Sequence, residues 1–126
     1  MEDTNKKIKS FTDLIVWQKA HQLVLDVYKV TREFPKEEMF VLTSQIRRAV
    51  VSISSNIAEG FSRRSYPDKI HFYTMSSGSI TELQNQLLIA RDLDYLNTGQ
   101  HSKLNDLTIE VHKLLNGLIR QSKTKL

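Results

Sequence analysis

Between Leu42 and Ile57, apolar residues recur at intervals of four, four, three and four positions: Leu42, Ile46, Val50, Ile53 and Ile57. A strand would send such a series to both of its faces. A helix stacks it into one stripe about four turns long. The same period appears in three further segments. Trp17, Ala20, Val24, Val27 and Thr31 carry it in the first, with Leu23 and Val30 alongside. Phe72, Ile80, Leu83, Leu87 and Ala90 carry it in the third, and Leu104, Leu107, Val111, Leu114 and Leu118 in the fourth. With only two prolines and four glycines in 126 residues, the chain has few breaking points. Few long elements are therefore expected rather than many short strands.

The spacing predicts helices over about 13–33, 37–59, 67–96 and 100–121. Thr12 or Asp13 is placed to cap the first, and Phe34-Pro35 ends it, because a residue before proline is pushed out of the helical region. Gly60 reads as the C-cap of the second. Pro67 suits the first turn of the third, behind Ser65 or Tyr66. The connections are short, which favours antiparallel neighbours. The expected fold is all-α, a single up-down-up-down antiparallel four-helix bundle over 1–126, with flexible basic ends at 1–10 and 122–126.

The chain lacks the usual catalytic signatures. It has no cysteine, which removes disulfides, thiolate zinc sites and cysteine nucleophiles. It has no glycine-rich phosphate loop followed by lysine, no His-Glu-x-x-His and no Gly-x-Ser-x-Gly elbow. A di-iron bundle needs two Glu-x-x-His motifs. The nearest approach is Asp68-x-x-His71, and His21, His101 and His112 have no carboxylate three residues earlier. No catalytic residue, metal or cofactor is expected. No stretch is apolar enough for a spanning helix, so the expected setting is the cytoplasm.

The second helix is unusually bare of charge. From Val41 to Ala58 only Arg47 and Arg48 are charged, and Ser44, Ser52, Ser54, Ser55 and Asn56 crowd the rest. The third has a similar run, Ser76-Ser77-Gly78-Ser79. A mid-helix glycine costs about 1 kcal/mol against alanine, a cost that close helix approach would offset. Packing within the bundle and packing against another subunit explain the small residues equally well. Folding the second and third helices back around residue 63 also brings Arg48 opposite Gly78, with Glu82 one turn on, so that Arg48 and Glu82 are placed to meet.

Charge is sorted by end. The bundle topology gathers Lys6, Lys7, Lys9, Arg63, Arg64, Lys69, Arg120, Lys123 and Lys125 at one end, against Glu2, Asp3, Asp13, Glu59 and Asp68. The other end holds Glu33, Glu37, Glu38, Asp92 and Asp94 against Lys36 and Arg91. The net charge is +4. Such an end is either a solvated surface or a platform for phosphates, and Arg63, Arg64, Lys69, Arg120 and Lys123 are the candidate nucleic-acid contacts. Phe61 and Tyr66 flank Arg63-Arg64 and are placed to stack on unpaired bases.

The run Leu42-Thr43-Ser44-Gln45-Ile46-Arg47-Arg48-Ala49, followed by Ser52-Ile53-Ser54-Ser55-Asn56-Ile57-Ala58-Glu59-Gly60, resembles the signature of the bacterial 23S rRNA intervening-sequence protein family. Trp17-Gln18-Lys19-Ala20, Phe34-Pro35 with Glu38, Arg63-Arg64 and Gly78-Ser79-Ile80-Thr81-Glu82-Leu83 extend the resemblance over roughly residues 11–96. Val41 stands where glycine is common. The resemblance implies a ribosomal-protein-like helical bundle that assembles with copies of itself into a ring, typically a pentamer. A related branch, the accessory proteins of diversity-generating retroelements, engages nucleic acid and a reverse transcriptase. It implies further that Trp17, Arg47, Arg48, Ser52, Asn56, Glu59, Gly78 and Glu82 serve structure or subunit contacts. The expected function is a non-enzymatic ring that binds RNA or DNA, RNA first. The alternative is a scaffold for a partner protein.

Overall fold

The computed structural model describes residues 7–126, and among these there are four α-helices and no strand: α1 (Ile15–Thr31), α2 (Leu42–Ser62), α3 (Tyr66–Asp92) and α4 (Thr98–Lys123). α1 and α3 each pack between α2 and α4. Contacts fix the directions. Gly60 meets Tyr73, whereas the Ile53 carbonyl accepts from Ser76 and Ser52 bonds Ser79. As one index falls the other rises, so α2 and α3 are antiparallel. Ser77 with His112 and Gln84 with Thr108 show the same for α3 and α4.

The stripe of α2 is buried as its spacing predicts, with Leu42, Ile46, Val50, Ile53 and Ile57 all in the core. On α1 the buried series is Val16, Ala20, Leu23, Val27 and Thr31. Trp17 lies one position off this line. It is half-buried, edge-on to Phe11 and stacked on His21. On α3, Tyr73 is buried where Phe72 was expected, and Phe72 is half-buried. On α4 the buried line is Leu104, Thr108, Val111, Leu115 and Ser122, with Leu107, Leu114 and Leu118 beside it.

Several helix ends differ from the sequence reading. α1 begins at Ile15 without a side-chain cap. Ser10 instead caps a separate 3-10 turn at Phe11–Asp13. The second helix does not start at Glu37. Lys36–Glu38 is a 3-10 turn held by the Tyr95 hydroxyl, which donates to Glu38 Oε2 at 2.8 Å, and α2 starts at Leu42. Gly60 is not a C-cap. It lies inside α2, which runs two residues further. α3 stops at Asp92 rather than near 96, and Asp94 turns the chain with φ 63°, a left-handed conformation that aspartate tolerates better than most residues. The tail expected to be free is helical through Lys123, and Ser122 is buried, donating to the Leu118 carbonyl. Of the expected N-terminal end, Ile8 packs on the core and Ser10 is a cap. Glu2, Asp3 and Lys6 lie outside the described residues.

Candidate nucleic-acid interface

The basic end is built where α2 turns into α3 beside the last turns of α4. Ser65 caps α3, its Oγ accepting from the Asp68 N–H at 3.3 Å, and Pro67 stands in the first turn. The last carbonyls of α2 have no intrahelical donor. Lys69 reaches back to supply one, its Nζ donating to the Phe61 carbonyl at 2.6 Å while sitting 5.4 Å from the Phe61 ring centre. Burial holds the Lys69 ammonium below its ordinary pKa. Of the five candidate cations, Lys69 is therefore already engaged by the fold.

The other four differ in freedom. Arg63 pairs with Glu59 at 3.5 Å and lies over the Phe72 ring at 4.5 Å. Both partners of that pair are substantially exposed, so it holds the side chain only weakly. Arg64, Arg120 and Lys123 are exposed and make no ion pair among the described residues. Tyr66 is exposed and Phe61 half-buried. Behind them a hollow of about 310 Å³ opens between the N-terminal arm and the ends of α2, α3 and α4. The periodicity missed this hollow because its lining comes from four separated stretches, and Tyr73 and Gln121 belong to it.

The small residues of α2 and α3 have an intramolecular role. Ser76 Oγ donates to the Ile53 carbonyl at 2.8 Å, Ser52 and Ser79 share a 2.9 Å bond, and Asn56 donates to Ser52. The close approach expected at Gly78 does not occur within the chain, since a β-carbon there would meet nothing within 4 Å. Arg48 and Glu82 line one hollow of about 320 Å³ but form no ion pair. Both are exposed, and Glu82 accepts from Gln86 instead. Arg47 ties α2 to α1, its Nε donating to Thr31 Oγ1 at 2.9 Å above the Tyr28 ring. Beside it a groove of about 530 Å³ runs past Tyr28, Met39, Phe40 and Val51. Phe40 is 92% exposed at its edge.

Among the described residues no group of three or more His, Asp or Glu side chains is arranged to hold a metal, and no helix is long and apolar enough to cross a membrane. The family model for the 23S rRNA-intervening sequence protein matches residues 12–117. The chain belongs to that family. The match takes in α1, α2, α3 and most of α4, including the fourth helix that the motif resemblance left out. Among solved structures, a protein of unknown function from the S23 ribosomal protein family of Bacteroides thetaiotaomicron has the same fold. Its TM-score is 0.78 at 24% identity, covering 83% of this chain and 98% of that one. No curated protein matches this chain. This member of the intervening-sequence family is a bundle of four α-helices among the described residues.

Proposed function

We propose that this protein is a non-enzymatic subunit of a homo-oligomeric ring, five-fold like the assemblies the resemblance implies, that holds RNA in the cytoplasm by its phosphates. One observation carries the reading. Arg64, Arg120 and Lys123 are exposed and without acidic partners among the described residues, at the end shared by the α2–α3 connection and the α4 C-terminus. Phosphate contacts of this kind are indifferent to sequence and gain affinity through counterion release. A ring would bring several copies of this end together and raise a weak attraction by multivalency. A closed ring needs two different surfaces on each subunit. The groove beside Phe40 supports one, and the open face of α3 around Gly78, with exposed Glu82 one turn on, supports the other.

The experiment is a titration of labelled structured RNA followed by anisotropy at two salt concentrations, with the molar mass measured by light scattering. Binding with a salt slope of several units, by a species of several subunits, is the expected result. No binding at low salt would remove the RNA reading.

A second reading is a scaffold for a partner protein, favoured by the exposed Phe40 and the groove next to it. It predicts a stoichiometric protein partner that stays bound after nuclease treatment.

A further inference from the structure

The hollow at the basic end has an unusual inner wall. Tyr73 is only 2% exposed, yet its hydroxyl has no hydrogen-bond partner among the described residues. Among the described residues, the sealed, unpartnered side-chain polar atoms are Thr43 Oγ1, Gln86 Oε1 and His101 Nε2. The Tyr73 hydroxyl is not one of them, so it opens onto the hollow that Tyr73 lines. A phenol this deep normally finds a partner, because leaving it unpaired forfeits its hydration. Burial, with Tyr66 nearby, pushes the Tyr73 phenol up to about 12. It is therefore a neutral O–H donor under ordinary conditions.

The remaining walls narrow the choice of guest. Phe61 and Tyr66 supply aromatic surface, and Leu118 supplies an apolar side. The other polar groups are mostly used up. Lys69 donates to the Phe61 carbonyl and Ser122 to the Leu118 carbonyl. Gln121 and Lys125 are exposed at the rim, with no side-chain partner for either among the described residues. A volume of about 310 Å³ lies at the small end of ligand sites, which run from about 300 to 1,000 Å³. An inorganic anion would find one unpaired cation among the lining residues, Lys125 at the rim, and none deeper in, since Lys69 is engaged by the Phe61 carbonyl. A flat ring with a polar edge would find aromatic faces, a buried O–H and an amide, with Lys125 at the rim for an attached phosphate.

We infer that this hollow receives one unpaired nucleobase of an RNA strand, stacked against Tyr66 and Phe61 with its polar edge toward Tyr73 and Gln121. The inference rests on the reading that the basic end holds RNA, and it adds a site that distinguishes an unpaired base from bare backbone.

The test uses the full chain and two RNA hairpins that differ at one bulged nucleotide, a base in one and an abasic residue in the other. The intact bulge is expected to bind about 5- to 150-fold more tightly, the range for stacking one base on an aromatic side chain. Tyr66→Ala should remove most of that difference. Tyr73→Phe keeps the ring and should weaken the intact bulge alone by about 2- to 12-fold, the worth of one hydrogen bond. Its melting curve verifies the fold. Equal affinity for the two hairpins, with Arg64→Ala still weakening both, would overturn the hollow as a base site and leave phosphate binding standing. That pattern would also be seen if a protein side chain were the natural guest. Failure to bind either hairpin at low salt would overturn both the hollow and the RNA reading.

Discussion

A β-carbon added at Gly60 would lie 2.6 Å from Cε1 and 2.8 Å from Cδ1 of Tyr73. Glycine here is what lets α3 press its buried ring against the backbone of α2. Two effects oppose each other in Gly60→Ala. Helix propensity favours alanine by about 1 kcal/mol. Forcing extra volume into a packed site costs about 1–3 kcal/mol, and the Tyr73 ring, 2% exposed, has little freedom to swing away. Net destabilisation of up to about 2 kcal/mol is expected in urea unfolding. A gain in stability would mean that the ring can shift at little cost.

That close approach also marks where sequence reasoning stops. A glycine after Ala58-Glu59 has the local appearance of a helix terminator, and only the ring opposite explains why α2 continues to Ser62. Stripes were legible where every member was apolar, as on α2. They were misphased on α1, where 16-20-23-27 and 17-20-24-27 both fit a helix and the larger Trp17 drew the choice. On α4, Thr108 and Ser122 are buried because their hydroxyls donate to the Asn105 and Leu118 carbonyls, a satisfaction that hydropathy does not encode. Register arithmetic placed Arg48 and Glu82 to meet; they do line one hollow, but as two long, hydrated side chains they stay apart. The basic residues of the end were legible one by one. The hollow behind them was not, because its lining is scattered along the chain.

Gly78 is the converse of Gly60. Its α-carbon faces open space, so Gly78→Ala should stabilise the isolated fold by about 0.5–1 kcal/mol through helix propensity alone. If a neighbouring subunit approaches α3 there, the same change should weaken the oligomer. Unfolding at low concentration and light scattering at high concentration separate the two effects. A variant that is more stable and fully assembled would move the subunit interface away from Gly78.

Tyr73 also sets a pH dependence. Its folded pKa of about 12 lies above the ordinary 10.0. The folded state therefore holds this proton more tightly than the unfolded state does. The stability it contributes is fully present below pH 10 and is lost as pH rises from 10 toward 12. Unfolding midpoints measured across that window should fall for the wild type and fall less steeply for Tyr73→Phe. Identical slopes would mean that the phenol ionises as easily folded as unfolded.

The basic residues at the end should divide into two groups when replaced singly by alanine. Arg64, Arg120 and Lys123 are exposed and free of ion pairs among the described residues. Removing any one should lower RNA affinity and reduce the log–log salt slope by about 0.9 for each duplex phosphate that a subunit no longer neutralises. In a ring, the reduction is repeated in every subunit that touches the RNA. Lys69 should behave differently, because its ammonium already serves the Phe61 carbonyl at the end of α2. Lys69→Ala leaves that carbonyl without its donor and should cost about 1 kcal/mol of stability, with the salt slope unchanged. Urea unfolding and salt-dependent anisotropy on the same four variants make the comparison. If Lys69→Ala reduced the slope as Arg64→Ala does, its amine must leave the Phe61 carbonyl when RNA binds, and the end of α2 would have to open in the complex.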